Sequence, residues 1–263
     1  MIRFIKAHAY GNDFLYVPAE AVAGRAIDAL ARELCDRHTG AGADGLIVYN
    51  PAADVPSMRL LNADGSRSEI SGNGVRGLAA ILCRHIDRSP VEVVVQTEAG
   101  PKRLTRLDRT GGRQLFRAAM GQPRDLRRVS VAAAGEPLQV AVMNFGNPQA
   151  VVIGDLPAPD RFRRLGDALE RHELFPERTN VEFAAVEAAD RVRILIWERG
   201  VGPTHSSGTG SCAALIAASA FGGAARQADV VAPGGTQRVE WQEDSVYLTG
   251  WAEILFEGDW LRE

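Results

Sequence analysis

The stretch that decides the fold is Ser207-Gly208-Thr209-Gly210, followed at once by the small, apolar run Ser211-Cys212-Ala213-Ala214-Leu215-Ile216-Ala217-Ala218. A glycine-rich turn that leads directly into such a run predicts the start of a buried helix. The first backbone N–H groups of a helix have no acceptor within the helix, so they and the helix dipole favour an anion. We therefore expect an anion-binding helix start immediately after Ser207.

The same pattern occurs earlier in the chain, at Ser71-Gly72-Asn73-Gly74, and Ser207 lies 136 residues after Ser71. A second match, Tyr10-Gly11-Asn12-Asp13 with Phe145-Gly146-Asn147-Pro148, has an offset of 135 residues and the same order. Two matches at nearly one offset, about half the chain length, indicate a duplicated domain. We expect domains at residues 1–116 and 117–263, with the C-terminal tail free to pack back on the first. Their central helices should point their N-termini at one cleft.

Strand-like segments outnumber helical ones in both halves. β-Branched or alternating residues predict strands at 91–97, 138–145 and 192–197, for example, and helical spacing is found at 26–37 and 161–171. Many strands and one apolar helix in each half predict an α+β fold. Each half is expected to be a curved β-sheet or open barrel wrapped around a central α-helix. Neither glycine-rich turn is Gly-x-Gly-x-x-Gly in a βαβ unit, which argues against a dinucleotide-binding fold.

Composition and charge narrow the class of protein further. The 263 residues are 46% hydrophobic and 24% charged, which is typical of a globular chain. A net charge of −3 argues against a broad nucleic-acid surface, and the arginines at 124–128 and 161–164 are interleaved with acidic and apolar residues, as on solvated faces. We expect no nucleic-acid partner.

The cysteines and the apolar runs indicate a compartment. Cys35, Cys83 and Cys212 have neither metal-ligand spacing nor an even count, so we expect three buried free thiols in a reducing environment. The N-terminus goes directly into strand-like alternation, and no run approaches the ~18 apolar residues of a membrane span. The sequence therefore predicts a cytoplasmic protein without a membrane partner or a metal.

Eight short segments, taken in order, strongly resemble the diaminopimelate epimerase family. They are residues 6–14, 34–46, 62–66, 72–76, 146–148, 179–181, 197–202 and 208–210. The resemblance runs from residue 2 to the tail at 250–257, so it covers essentially the whole chain.

This resemblance implies a PLP-independent isomerase of an amino acid, without a cofactor, and commonly a homodimer. In that family two pseudo-symmetric domains enclose the active site, and one thiol removes the α-proton while a second thiol returns a proton to the opposite face. The reacting carboxylate lies between the N-termini of the two central helices, which stabilise the developing carbanion.

The sequence departs from the family where the chemistry is decided. By resemblance the two thiols stand immediately before Gly72-Asn73-Gly74 and Gly208-Thr209-Gly210, but these catalytic positions are Ser71 and Ser207. A histidine usually follows Asn147-Pro148, and here it is Gln149. A serine hydroxyl is far harder to ionise than a thiol, so a serine that transfers a proton needs an adjacent base. His205, two residues before Ser207, is a candidate for acid/base support, as is Gln149.

A further departure is Gly77, where the family often has cysteine; with Gln149 it favours natural divergence over a deliberate replacement of the thiols.

The substrate-binding positions of the family are retained. By resemblance, one group of residues holds the remote amino-carboxylate end of diaminopimelate, and a second group lines the reacting end. The first group is Asn62, Asn180, Glu198 and Arg199, and the second is Asn12, Asn147 and the helix-start residues Gly72, Asn73, Gly208 and Thr209. A guanidinium and carboxamides suit a carboxylate, and a glutamate suits an ammonium group.

Three functions remain open at this point. The first is an isomerase acting at the α-carbon of diaminopimelate or a similar amino acid, in a lysine or peptidoglycan precursor pathway. The second is another isomerase or lyase on the same scaffold, and the third is a non-catalytic amino-acid binder. The retained binding residues favour the first and third, whereas the missing thiols favour the second and third.

Overall fold

The computed structural model describes residues 1–51, 54–68 and 70–262. It divides into two compact units, of which the first comprises Met1–Ala118 with Gly250–Glu263 and the second comprises Ala119–Thr249. Strands β8 and β17 contain the residues at which the division falls.

The first unit contains two α-helices, a short 3-10 turn at Ala19–Val22 and a sheet. The helices are α1 (Ile27–Cys35) and α2 (Gly72–Cys83), and the strands are β1 (Ile2–Ala9), β2 (Asn12–Pro18), β3 (Gly45–Asn50), β4 (Ser57–Asn62), β5 (Arg67–Ser68), β6 (Val91–Thr97), β7 (Gly100–Thr110), most of β8 (Arg113–Gly121) and the end of β17 (Val246–Trp260).

The second unit contains α3 (Pro159–Glu170), α4 (Gly208–Phe221) and strands β9 (Arg124–Ala133), β10 (Glu136–Asn144), β11 (Pro148–Ile153), β12 (Asn180–Ala188), β13 (Arg191–Glu198), β14 (Gly202–Thr204), β15 (Gln227–Ala232) and β16 (Gly235–Trp241).

The two units repeat one order of strand pairing. In the first, β2 is antiparallel to β1 and parallel to β3, and α1 makes the crossover. In the second, β11 is antiparallel to β10 and parallel to β12, and α3 makes the crossover. The antiparallel pair β3 and β4 likewise corresponds to β12 and β13. The duplication that the sequence indicates is therefore present in the topology of the strands.

Each sheet has a helix on both faces. The central helices α2 and α4 are buried along almost their whole length, and α4 is apolar on every side, as expected of a helix inside a core. Helix α2 packs against β1, β2, β6 and β7, and α4 packs against β10 to β13, β15 and β16. The amphipathic helices α1 and α3 cover the other faces through Leu30 and Leu34 and through Phe162 and Leu165. The predicted α+β fold, with a sheet wrapped around a central helix in each half, is confirmed.

Several local predictions are corrected. The predicted helix at 26–37 is shorter, Ile27–Cys35, and the arginine-bearing segment at 124–133 forms strand β9, which the sequence did not reveal because most of its side chains are exposed. The three cysteines are buried free thiols, as predicted. None of the helices among the described residues is both long and apolar enough to cross a membrane.

The glycine at position 77 has a packing reason. A Cβ there would lie 2.0 Å from the Tyr16 hydroxyl oxygen, and the fully buried Tyr16 donates a hydrogen bond of 3.0 Å to the Gly74 carbonyl in the first turn of α2. The tyrosine fills the volume that a side chain at position 77 would need. The presence of glycine at position 77, where the family often has cysteine, is thus explained by the space that Tyr16 occupies.

Candidate active site

Both predicted helix starts form, and both serines cap them. Helix α2 begins at Gly72 with Ser71 as its N-cap, and Ser71 Oγ accepts a hydrogen bond of 3.1 Å from Gly74 N. Helix α4 begins at Gly208, and Ser207 Oγ accepts the same bond, also 3.1 Å, from Gly210 N. Serine is favoured at this position because its oxygen satisfies one of the free N–H groups of the first turn.

In the first unit, the second residue of α2 is joined to the Gly-Asn turn that precedes β2. Asn73 Nδ2 donates to Asn12 Oδ1 at 3.1 Å, and the Arg76 side chain donates to Asn73 Oδ1. Arg76 is 1% exposed and packs 5.6 Å from the centre of the Tyr10 ring. The predicted residues Asn12 and Asn73 therefore lie together at the start of α2.

An ionic cluster fixes Asn12 in this place. Asn12 Nδ2 donates to Asp44 Oδ2 at 2.7 Å, and Arg37 bridges Asp44 to Asp13 with distances of 2.7 and 2.8 Å. Lys6 Nζ lies 3.0 Å from Asp13 Oδ2. Burial raises the pKa of Asp13, but the hydrogen bonds and charges of Arg37 and Lys6 outweigh it and hold that pKa below its usual value. The Asp13 carboxylate is therefore ionised near neutral pH.

The second unit repeats this arrangement at α4. Asn147 Nδ2 lies 3.5 Å from Thr209 Oγ1, in the same relation as Asn12 and Asn73. Gly11 and Gly146, which precede the two asparagines, have φ angles of 87° and 88°, in the left-handed region that favours glycine. The repeat in the sequence is therefore a repeat of site geometry.

Gln149 is fully buried beneath this pair. Its carboxamide lies 2.7 Å from Asn147 Oδ1 and 3.2 Å from Thr209 Oγ1. The other end of the same carboxamide lies 3.1 and 3.2 Å from the two carboxyl oxygens of Glu182. The structure therefore brings together Gln149, Asn147 and Thr209, and adds Glu182.

Glu182 is a site residue that the sequence analysis missed. It is 0% exposed on β12, and burial, followed by the charge of Glu198, raises its pKa well above the usual value. A signal was available, since Val181-Glu182-Phe183-Ala184 places one acidic residue inside an otherwise apolar strand. Glutamate is rarely buried without a specific partner, so such a residue is a candidate for function.

The residues assigned by resemblance to the remote end of the substrate form a second group in this unit. Asn180 Oδ1 accepts a hydrogen bond of 2.9 Å from Arg199 N, and Asn180 Nδ2 donates to Pro148 O at 3.2 Å. The Arg199 side chain is exposed and donates to Glu177 O at 3.2 Å. Glu198, which is half-buried, precedes Arg199 at the end of β13.

Glu170, which the sequence analysis also missed, holds the turn that presents Glu198 and Arg199. It is 3% exposed, and its carboxylate accepts from Trp197 Nε1 at 2.7 Å and from Gly200 N at 3.0 Å. Arg178 lies 3.4 Å from the same carboxylate. Glu170 therefore holds the Trp197 side chain before the Glu198-Arg199 pair and the Gly200 backbone after it.

Asn62 and His205 are the two remaining predicted residues. Asn62 Nδ2 donates to Ser66 Oγ at 3.0 Å within the turn after β4. The His205 side chain is exposed, and the hydrogen bonds of the described residues include none between its ring and Ser207. The acid/base role of His205 stays a prediction.

A cavity of about 200 Å³ lies elsewhere in the second unit and is lined by none of the predicted site residues. Its walls include Asn144, Pro148 and residues 174–178. Across residues 1–51, 54–68 and 70–262, no three His, Cys, Asp or Glu side chains cluster as a metal site would require.

The profile of the diaminopimelate epimerase family matches residues 4–125 and 141–255. The chain belongs to this family. A diaminopimelate epimerase from Desulforudis audaxviator is 40% identical, and the match covers 99% of this chain and 100% of that protein.

Solved structures share the fold. A predicted epimerase from Pseudomonas aeruginosa has a TM-score of 0.78 and 15% identity, covering 100% of both chains. A probable proline racemase from Agrobacterium radiobacter has a TM-score of 0.76 and 18% identity, covering 100% of this chain and 94% of that one. The residues matched by the family profile include both serine positions, Ser71 and Ser207.

Proposed function

We propose that this protein is a PLP-independent isomerase that acts at the α-carbon of diaminopimelate or a closely similar amino acid. The observation that carries the proposal is the repeated helix start. In each unit a central helix opens with a capping serine and with a polar side chain that is joined to a Gly-Asn turn. Such a site stabilises the negative charge that develops on a carboxylate when the α-proton leaves.

The remote end of the substrate is proposed to bind the second group of residues. The Arg199 guanidinium suits the distal carboxylate, and the Glu198 carboxylate suits the distal ammonium group. Their backbone is anchored by Asn180 and Glu170, which supports a fixed distance between these charges and the start of α4. A rigid presentation of two opposite charges favours a zwitterionic end over a simple acid.

Proton transfer is the step for which the chain is poorly equipped. Epimerisation requires one group on each face of the α-carbon, and Ser71 and Ser207 stand at the two positions that the family resemblance assigns to those groups. A helix N-terminus lowers the pKa of a thiol enough to ionise it near neutral pH, but a serine hydroxyl needs a neighbouring base. We therefore propose slow turnover, with the electrostatic part of the site retained.

A non-catalytic amino-acid binder is the second candidate, and one observation favours it. Both serine oxygens accept the capping hydrogen bond from the third N–H of their helices, so each is used in holding the helix start. A binder with this site would keep affinity for diaminopimelate and lack exchange of the α-proton.

We propose the pathway, the cellular compartment and the assembly of this protein from the family to which it belongs. Diaminopimelate epimerisation belongs to lysine and peptidoglycan precursor synthesis, which takes place in the cytoplasm, and a homodimer is the assembly that we propose. The three buried free thiols support a reducing compartment.

The test is exchange of the α-proton of diaminopimelate in deuterated buffer, run beside a binding titration by calorimetry. Binding with slow exchange and a changing stereoisomer ratio supports the isomerase. Binding without exchange supports the binder, and absence of binding removes both.

A further inference from the structure

Glu182 lies directly against the start of α4. A Cβ on Gly210 would lie 2.5 Å from Glu182 Oε1 and 3.0 Å from Ser207 Oγ, so only a glycine fits between the carboxyl group and the capping serine. Glu182 is 0% exposed, and its strand runs between β11 and β13. The structure therefore places a buried carboxyl group against the first turn of the helix that Ser207 caps.

The first unit shows that the fold does not require a carboxyl group here. In the second unit Val151 of β11 pairs with Glu182 of β12, and in the first unit Tyr16 of β2 pairs with Ile47 of β3. Each residue of the second pair lies 135 positions before its counterpart in the first pair, so Ile47 corresponds to Glu182. Ile47 Cδ1 would lie 2.8 Å from a Cβ on Gly74, so this isoleucine fills the corresponding place at the start of α2.

Gln149 corresponds in the same way to Phe14. The positions that hold Gln149 and Glu182 in the second unit thus hold Phe14 and Ile47 in the first, and both of these residues are buried and apolar. The polar pair is a difference in chemistry on an otherwise repeated scaffold.

The orientation of the Gln149 carboxamide is linked to the protonation state of Glu182. With Nε2 towards Asn147 Oδ1 and Thr209 Oγ1, Gln149 donates to both, and its Oε1 faces the carboxyl oxygens of Glu182. That contact, at 3.1 and 3.2 Å, is a hydrogen bond only when Glu182 carries a proton.

The reversed carboxamide would suit an ionised Glu182 but would bring Gln149 Oε1 to within 2.7 Å of Asn147 Oδ1, so Asn147 would have to turn as well. The first arrangement needs one proton on Glu182 and no turn of Asn147.

The charged surroundings agree with a neutral Glu182. Glu198, on β13, is the charged side chain that acts on it, and its negative charge disfavours a second carboxylate. Helix α4 has no acidic residue in its first turn and no basic residue in its last, and β11 contributes the neutral Gln149. The partial positive charge of the helix N-terminus favours the anion. Burial and Glu198 together raise the pKa of Glu182 despite that field.

We propose that Glu182 is a positioning residue of this site: as a neutral acid it donates to Gln149 and thereby keeps the hydroxyl of Thr209 available as a donor to a substrate carboxylate. Thr209 Oγ1 then accepts from Gln149 and lies 3.5 Å from Asn147 Nδ2, so its own proton is directed elsewhere. If Glu182 were ionised, the Gln149 carboxamide would reverse. Gln149 Oε1 would then accept a hydrogen bond from the Thr209 hydroxyl, which would no longer be available to the substrate. The ligand in this proposal rests on the proposed function, whereas the state of Glu182 does not.

Two substitutions separate this role from simple packing. Glu182→Gln keeps a donor towards Gln149 and cannot ionise, whereas Glu182→Ile reproduces the Ile47 environment of the first unit and removes the donor. Calorimetry with diaminopimelate, from about pH 5 to about pH 9, spans the range between the usual glutamate pKa and strongly raised values. We expect Glu182→Gln to bind like wild type at low pH without the loss of affinity at high pH. Glu182→Ile should bind about tenfold more weakly, as for one lost hydrogen bond.

A second readout needs no ligand. Carbon-13 NMR of glutamate-labelled protein, with Glu182→Gln to assign the signal, should show a protonated carboxyl group at neutral pH. A Glu182 signal that is ionised at neutral pH overturns the proposal, as does equal affinity and equal pH dependence of the Gln and Ile variants. If no variant or wild type binds diaminopimelate, the proposed function fails, and the NMR signal still decides the state of Glu182.

Discussion

Ser207 Oγ accepts a hydrogen bond of 3.1 Å from Gly210 N, so the Ser207 side chain caps helix α4. The same bond joins Ser71 to Gly74 in the first unit. At positions where the family resemblance expects thiols, the chain has the residue type that best caps a helix. The helix starts and their electrostatic field are therefore retained without a group that ionises easily.

The capping role predicts a loss of stability on truncation. Ser71→Ala and Ser207→Ala should each lower the free energy of unfolding by about 0.5–2 kcal/mol, because each leaves a first-turn N–H without its acceptor. Urea unfolding measures the loss. Ser89→Ala is the control, because Ser89 is exposed and has no side-chain hydrogen bond among the described residues, and it should stay within about 0.5 kcal/mol of wild type. Equal stability of the cap variants and the control would contradict the capping role.

Gly77 predicts a steric conflict that a second change relieves. Gly77→Ala places a Cβ 2.0 Å from the Tyr16 hydroxyl oxygen, so overpacking should cost about 1–3 kcal/mol of unfolding free energy. Adding Tyr16→Leu removes the clashing atoms and should make the alanine far less costly. Gly112→Ala is the matched control, because its Cβ would meet nothing closer than 3.5 Å. The same cost of Gly77→Ala in both backgrounds would show that Tyr16 is not the obstacle.

The buried carboxyl group predicts a pH dependence of stability. The pKa of Glu182 is raised by burial and by Glu198, so the folded protein keeps a proton that the unfolded chain releases near a pKa of about 4.3. The free energy of unfolding should therefore fall as pH rises from there to the raised pKa. Glu182→Gln cannot titrate, so wild-type stability relative to this variant should decline over that window in urea titrations. A difference that stays constant with pH would mean that the pKa of Glu182 is not raised.

Arg199 predicts a specific loss of ligand affinity. Arg199→Ala should weaken diaminopimelate binding by about 1.5–3 kcal/mol, the usual range for a hydrogen bond to a charged group. Calorimetry is the measurement, and Arg193→Ala, an exposed arginine on the same segment of chain, should leave affinity unchanged. Unchanged affinity of Arg199→Ala would remove this residue from the site.

Much of the fold could be predicted because short sequence patterns indicate the two central helices and the duplication. The apolar runs after Gly74 and Gly210 predict buried helices, and the repeated Gly-Asn and Ser-Gly turns predict the duplication. Strand β9 was missed because its exposed arginines read as a solvated surface, and a strand of this kind is fixed by its pairing with β10. Pairing between strands depends on tertiary contacts that local sequence does not encode.

The site was predictable where its residues lie in motifs, as with Asn73 and Thr209. Glu182 and Glu170 lie outside any motif, and their contacts reach across strands and helices to Gln149, Trp197 and Gly200. Their importance comes from burial, which a sequence shows only indirectly. The role of His205 stays a prediction: this residue is close to Ser207 along the chain, and the described structure shows no hydrogen bond between the two side chains.

The central claim is that the electrostatic site is intact and that only the proton-transfer groups are weak. Its most direct test is the stereoisomer ratio of diaminopimelate over time in deuterated buffer, for wild type, Ser71→Cys, Ser207→Cys and the double variant. A thiol on one face permits exchange of the α-proton, but inversion needs a donor on the other face as well. The double variant should therefore epimerise far faster than the product of the single effects predicts, as for residues that act as one unit. A wild-type rate that the double variant does not exceed would contradict the claim, because the serines would then carry a working mechanism of their own.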